Sequence, residues 1–172
     1  FTTVFANDFE NNCKITYDLN FRYSKLIVED IRKIGINDLP DFDLLLGGFP
    51  CQAFSIAGYR QGFNDKKNGG NLFFDIARIL KTRQPKGFLL ENVKNLIGHD
   101  YGKTFRTIEG ILIKLGYHIK TQVLNSMEYG NIPQNRERIY IVGFKNENIA
   151  HRFHFPKPIK LTKKVTDILE DN

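Results

Sequence analysis

Two short apolar runs, Phe42 to Leu46 (broken only by Asp43) and Phe88 to Leu90, lie on either side of a segment whose apolar residues, at 72, 73, 76, 77, 79 and 80, recur at helical spacing. An unalternating run of this kind suits a strand covered on both faces of a parallel sheet, and the recurring stripe suits the buried side of a helix. The same change of period is repeated along the chain. Thr3 to Ala6 reads as a short strand ahead of a helical stretch from about Glu10 to Asn20. Phe105 to Leu115 is helical again and ends at Gly116, the residue type that most readily closes a helix. Tyr117 to Leu124 and Arg138 to Phe144 then alternate as two strands with no long helix between them. Strand-helix units followed by a strand pair predict an α/β fold whose sheet is mostly parallel, with an antiparallel strand near the end.

A length of 172 residues suits one domain with a sizeable core, and 41% apolar with 26% charged residues is ordinary globular usage. No apolar run approaches the roughly 20 residues that cross a bilayer, and the first residues show neither a basic start nor a small-residue cleavage site. A cytoplasmic protein without membrane contact is expected. Cys13 and Cys51 are the only cysteines, spaced for neither a zinc site nor a disulfide framework, and His99, His118, His151 and His154 match no ligand spacing, so no metal is expected. Cys13, four residues before Tyr17 in the first helical stretch, reads as core filler. A net charge of +6 and a pI near 9.3 would attract a polyanion, though many cytoplasmic proteins share that balance.

In an open α/β sheet, ligands collect at the carboxyl ends of the strands. Asp8 after the first strand, Pro50-Cys51 after the Phe42 run and Glu91-Asn92 after the Phe88 run all fall on that edge. The loop Ala53 to Asn71 carries Gly58, Gly62, Gly69 and Gly70 together with Arg60, Lys66 and Lys67, and loops of this length in a compact domain are usually functional or disordered. From Phe155-Pro156-Lys157-Pro158 onward the pattern fades, so residues 1–155 are expected to form one domain and 156–172 its exit.

A thiol attacks only as thiolate, and a strand-to-helix turn is where backbone N–H groups can favour that form. Cys51 is placed for this, with Gly47-Gly48 allowing a ligand close approach and Pro50 fixing the turn; a buried structural cysteine is the plainer alternative. Glu91 is either a solvated strand end or an acid kept protonated by burial. In Gln134-Asn135-Arg136-Glu137-Arg138, the two arginines would share one face of an extended segment, as an anion or carbonyl site or as a surface ion-pair cluster.

Taken together, Phe49-Pro50-Cys51-Gln52-Ala53-Phe54-Ser55, Leu72-Phe73-Phe74-Asp75-Ile76-Ala77-Arg78, Glu91-Asn92-Val93-Lys94-Asn95 and Pro133 to Tyr140 make the sequence resemble the C5-cytosine DNA methyltransferases, closely those of bacterial restriction-modification systems, over nearly the whole chain. The resemblance implies a Rossmann-like S-adenosylmethionine-dependent fold. It implies that Cys51 attacks C6 of a cytosine flipped out of duplex DNA, that Glu91 contacts N3 and the exocyclic amine, and that Arg136 and Arg138 hold the base carbonyl and nearby backbone. Asp8 matches the acid that binds the ribose of S-adenosylmethionine, Phe9 a ring that stacks on its adenine, Asp30-Ile31 the pair that reads the adenine edge, and Pro50 and Leu72 further pocket residues. Gln52, Ser55, Arg60, Lys66, Lys67 and Asn92 are the candidates for DNA contact.

The family's opening Phe-x-Gly-x-Gly loop is not found, nor are a target-recognition region after residue 158 and the final Asn-rich motif, so a catalytic domain truncated at both ends is expected. An incomplete piece of a longer chain is favoured over a split enzyme with a complementing chain, and the segment alone is expected to be inactive. A cognate restriction endonuclease would be a partner in function only. Methylation of cytosine in transfer RNA and a non-catalytic nucleic-acid-binding role are the competing readings. A dinucleotide oxidoreductase lacks its Gly-x-Gly-x-x-Gly turn.

Overall fold

The computed structural model describes residues 1–50 and 72–169. Strands β1 (Ala6–Asp8) and β2 (Leu26–Val28) pair in parallel and are connected by helix α1 (Asn11–Asn20). A second sheet contains β3 (Leu44–Gly48), β4 (Gly87–Val93), β5 (His118–Asn125) and β6 (Glu137–Phe144) in the order β3-β4-β6-β5. Here β3 and β4 are parallel, while β6 is antiparallel to both of its neighbours, β4 and β5. Three strands of this sheet therefore run one way and only β6 runs back, which is the expected mostly parallel arrangement with one reversed strand near the end.

Helices α2 (Leu72–Arg83) and α3 (Lys103–Lys114) share a core with the sheet. The stripe anticipated for α2 buries Phe73, Ala77 and Leu80, and α3 adds Ile108, Ile111 and Leu112. From the strands come Phe88, Leu90, Ile139 and Ile141, the inward half of a period-two alternation. Gly116 ends α3 with φ +81°, the left-handed conformation that glycine adopts without a Cβ penalty. Tyr117, next in sequence, packs edge-on against Phe88 and donates its hydroxyl to the Pro85 carbonyl at 2.9 Å. Short helices α4 (Ser126–Tyr129) and α5 (Glu147–Arg152) follow β5 and β6. Among the described residues no helix is long and apolar enough to cross a membrane.

Several expectations shift. The first strand begins at Ala6, not Thr3, and Asp8 is its last residue, because pairing with β2 sets its limits and Asn7 donates its amide to the Ile27 and Glu29 carbonyls. The Phe42 run is not covered on both faces: Leu46 in β3 is 68% exposed, while Leu45 on the opposite face packs against the core to which α2 contributes. Cys13 is exposed and is not core filler. Helix α1 buries no residue and is held to β2 by polar clamps, Lys14 to the Leu26 carbonyl at 3.0 Å and the Leu26 N–H to Asp18 at 3.0 Å. The exit segment is tied back to α4 and the loop after it: Ile159 N–H donates to the Glu128 carbonyl at 2.7 Å, and Thr162 N–H to the Asn131 side chain at 2.8 Å.

Candidate active site

Strand β4 separates two kinds of chemistry because successive side chains point to opposite faces. Phe88, Leu90 and Asn92 enter the core, while Leu89, Glu91 and Val93 lie on the more open side. Glu91 and Asn92 thus belong to the strand itself and do not follow it. On the open side, Arg138 Nε lies 2.8 Å from Glu91 Oε1, a diagonal pair between β4 and β6, with side chains 21% and 36% exposed respectively. Glu91 is therefore partly solvated and sits beside the Arg138 guanidinium, between the solvated strand end and the fully buried acid of the two expectations. Gly48 is the register partner of Glu91, which places the Glu91 carboxyl group above the end of β3.

Asn92, expected to face DNA, is turned inward and is 2% exposed. Its amide donates to the Phe49 carbonyl at 2.7 Å, and its side-chain oxygen accepts from the Val93 N–H at 2.8 Å. The buried Phe49 ring in turn packs on Phe73 of α2 at 5.6 Å between centroids. Strand β4 and helix α2 together therefore fix the chain where it leaves β3, directly before the exposed Pro50. Cys51, Gln52, Ser55, Arg60, Lys66 and Lys67 lie outside the described residues, as does the whole Ala53 to Asn71 loop.

Arg136 and Arg138 differ in their surroundings. Arg136 is exposed and precedes β6; its N–H donates to Asn125 Oδ1 at 3.1 Å and its carbonyl accepts from the Ser126 N–H at 3.1 Å. Asn125 also caps α4 through the Met127 N–H and donates to Asn135 Oδ1 at 2.7 Å. Sequence reasoning missed this residue, although an Asn before a short helix is the usual capping signal. Lys94 bridges the end of β4 to the start of β6 through both oxygens of Glu137, at 2.8 and 2.9 Å. Because β6 runs backward, these arginines arrive at the carboxyl edge of β4.

A second cluster lies at the carboxyl ends of β1 and β2. Asp8 ends β1, its Oδ1 accepting from the Glu10 N–H at 2.9 Å, and Phe9 beside it is 67% exposed. The Glu29 N–H donates to the Asp8 carbonyl at 3.1 Å and brings Asp30-Ile31 alongside. Asp30 engages Arg32 with both oxygens, and this guanidinium holds the carboxyl down to about 2. Leu72, the first residue of α2, packs partly buried against the core. An acid, an exposed ring and a second acid thus lie together at the carboxyl ends of β1 and β2.

The sequence matches the model of the family described as C-5 cytosine-specific DNA methylase over residues 1–172. The chain belongs to that family. It is 54% identical over 169 residues to the type II methyltransferase M.Bsp6I of Bacillus sp. (strain RFL6), covering 98% of this chain and 53% of that protein. With the type II methyltransferase M.SsoII of Shigella sonnei it shares 48% over 169 residues, 97% of this chain and 43% of the relative. The methylase-family chain thus spans about half the length of the curated relatives it matches. The fold is similar to that of a solved mutant of Spodoptera frugiperda DNMT2, with a TM-score of 0.73 at 21% identity over 99% of this chain and 53% of that one.

Proposed function

We infer that this chain supplies the catalytic portion of a DNA cytosine-5 methyltransferase of a restriction-modification system, with residues 1–155 as its catalytic part and 156–172 leading toward a target-recognition region. The observation that carries the reading is the Glu91–Arg138 pair at the carboxyl edge of the sheet, next to the turn that Asn92 fixes just before Pro50-Cys51. In this reading Cys51 adds as thiolate to C6 of a flipped cytosine, and the bond it forms pushes electron density toward C5 and N3. Glu91 takes part as the protonated acid, its O–H donating to N3 as charge develops there and its carbonyl oxygen accepting from the exocyclic amine, while Arg138 orients that carboxyl group and Arg136, unpaired among the described residues, is free to reach the base carbonyl. Loss of the C5 proton and expulsion of the thiolate then regenerate Cys51.

Asp8, Phe9, Asp30, Ile31, Pro50 and Leu72 would hold S-adenosylmethionine, which supplies the methyl group. Gln52, Ser55, Arg60, Lys66 and Lys67 would contact the DNA backbone. Asn92 has a different part, since its amide already holds the turn.

The test is trapping on duplex DNA containing 5-fluorocytosine with S-adenosylmethionine, using the protein at its natural length and a Cys51→Ser variant, with transfer RNA as a parallel substrate. A Cys51-dependent adduct on DNA is expected. An adduct on transfer RNA alone would move the substrate to RNA, and none on either would leave a non-catalytic binding role.

A further inference from the structure

Arg78 lies in the middle of α2, away from Glu91 and Arg138, yet its guanidinium reaches the segment that follows β2. Nη2 donates to the Ile31 carbonyl at 3.1 Å and Nη1 to the Ile34 carbonyl at 3.4 Å. Asp75, one turn earlier on the same helix, orients the fork from behind at 3.3 Å from Nη2. Burial pushes the Asp75 carboxyl up while Arg78 opposes that shift, so the pair is a partly desolvated one. All of Arg78's contacts on the segment are to main-chain carbonyls, so it fixes backbone shape regardless of which side chains the segment carries.

The segment held is the Asp30 turn, closed by the Lys33 N–H on the Asp30 carbonyl at 2.8 Å. Two grips fasten the stretch to one helix. Arg83, five residues further along α2 and therefore ~7.5 Å along its axis, holds the Ile36 and Leu39 carbonyls. Only the Arg78 grip touches the turn that contains Asp30-Ile31; the Arg83 grip lies beyond it. The helix that holds the turn also begins with Leu72 and carries Phe73, which packs on Phe49.

We propose that Arg78 is a positioning residue for cofactor binding: by clamping the Ile31 and Ile34 carbonyls to α2 it sets the Asp30-Ile31 turn at a fixed height against Leu72, so that one helix places both walls of the adenine pocket. The proposal rests on the reading that Asp30-Ile31 and Leu72 hold S-adenosylmethionine. It assigns no chemical step to Arg78.

The experiment compares Arg78→Met, Arg78→Lys, Arg83→Met and Asp30→Ala in the protein at its natural length, with S-adenosylmethionine affinity by calorimetry and amide hydrogen exchange of residues 31–39 without ligand. Arg78→Met is expected to speed exchange at 31–34 and weaken affinity about 10-fold, the equivalent of one charge-assisted hydrogen bond. Arg78→Lys should recover only part, since an ammonium lacks the planar fork. Arg83→Met should loosen 36–39 with affinity unchanged. Equal losses in the Arg78→Met and Arg83→Met variants would reduce Arg78 to a stability role and overturn the proposal, as would faster exchange with unaltered affinity. If Asp30→Ala leaves affinity intact, the pocket reading itself falls, an outcome separate from the Arg78 comparison.

Discussion

The Asn92 side chain donates to the Phe49 carbonyl across 2.7 Å and so joins the end of β4 to the exit from β3. Both residues are buried, and their bond connects a core position to the only route by which the chain enters Pro50-Cys51. Removing the amide leaves a buried carbonyl without its donor, a loss of roughly 1–3 kcal/mol. Asn92→Leu should lower the urea midpoint accordingly without changing the slope of the transition. An unchanged midpoint would mean that water replaces the amide.

Glu91 and Arg138 separate stability from chemistry. Both are partly solvated, so Glu91→Gln should alter stability by less than about 1 kcal/mol. Methyl transfer in the same variant should fall by ~100-fold or more if the Glu91 acid donates its proton to N3 of the attacked ring. Single-turnover rates beside equilibrium unfolding resolve the two, and a large loss of stability with little loss of rate would make the pair structural.

Gly143 faces Phe88 across the β4–β6 ladder, and a Cβ there would collide with the Phe88 ring. Gly143→Ala should therefore overpack the core at a cost of roughly 1–3 kcal/mol. Adding Phe88→Leu should recover part of that loss, so thermal unfolding of the double variant should lie above the sum of the single effects. Strict additivity would place the strain elsewhere.

Burial raises the Tyr117 phenol to about 12, so its ionisation opposes the fold. A group whose pKa is raised on folding contributes stability fully below its unfolded value, near 10, and that contribution is lost as pH climbs toward 12. Tyr117→Phe should unfold less steeply across this window than the parent, though at neutral pH it loses the bond to Pro85. Tyrosinate absorbance followed with circular dichroism would show whether this phenol ionises with the transition.

Asp30 gives the opposite behaviour at the acid end. Arg32 depresses its carboxyl to about 2, so the stabilising charge is present above the unfolded value near 4 and disappears between there and about 2. Carboxyl carbon shifts of Asp30 should be flat from neutral pH down to about 4. A midpoint at the ordinary aspartate value would show that Arg32 does not hold it in solution.

Periodicity made the main elements legible because the stripe on α2, the alternation in β5 and β6 and the Gly116 stop are local signals. β2 was not legible, since Leu26–Val28 is three residues long and owes its place to β1 and to Asp18, a partner eight residues back. The same distinction runs through the site. Glu91 and Arg138 could be named from motifs, but their direct pairing depends on the β4–β6 register, and the inward turn of Asn92 on where the core lies. Cys13 departs from the core role its helix suggests because α1 buries none of its residues and is docked by Lys14 and Asp18 instead.

The order β3-β4-β6-β5 also imposes a timetable on synthesis. β6 sits between two strands that both precede it in the chain, so β4 has no partner on that side until Phe144 has left the ribosome, a wait on the order of seconds. Throughout that interval the nascent chain carries an open, apolar strand flank that only its own next segment can close. A pause in translation between Asn125 and Phe144 should therefore be the moment at which this protein most depends on a chaperone.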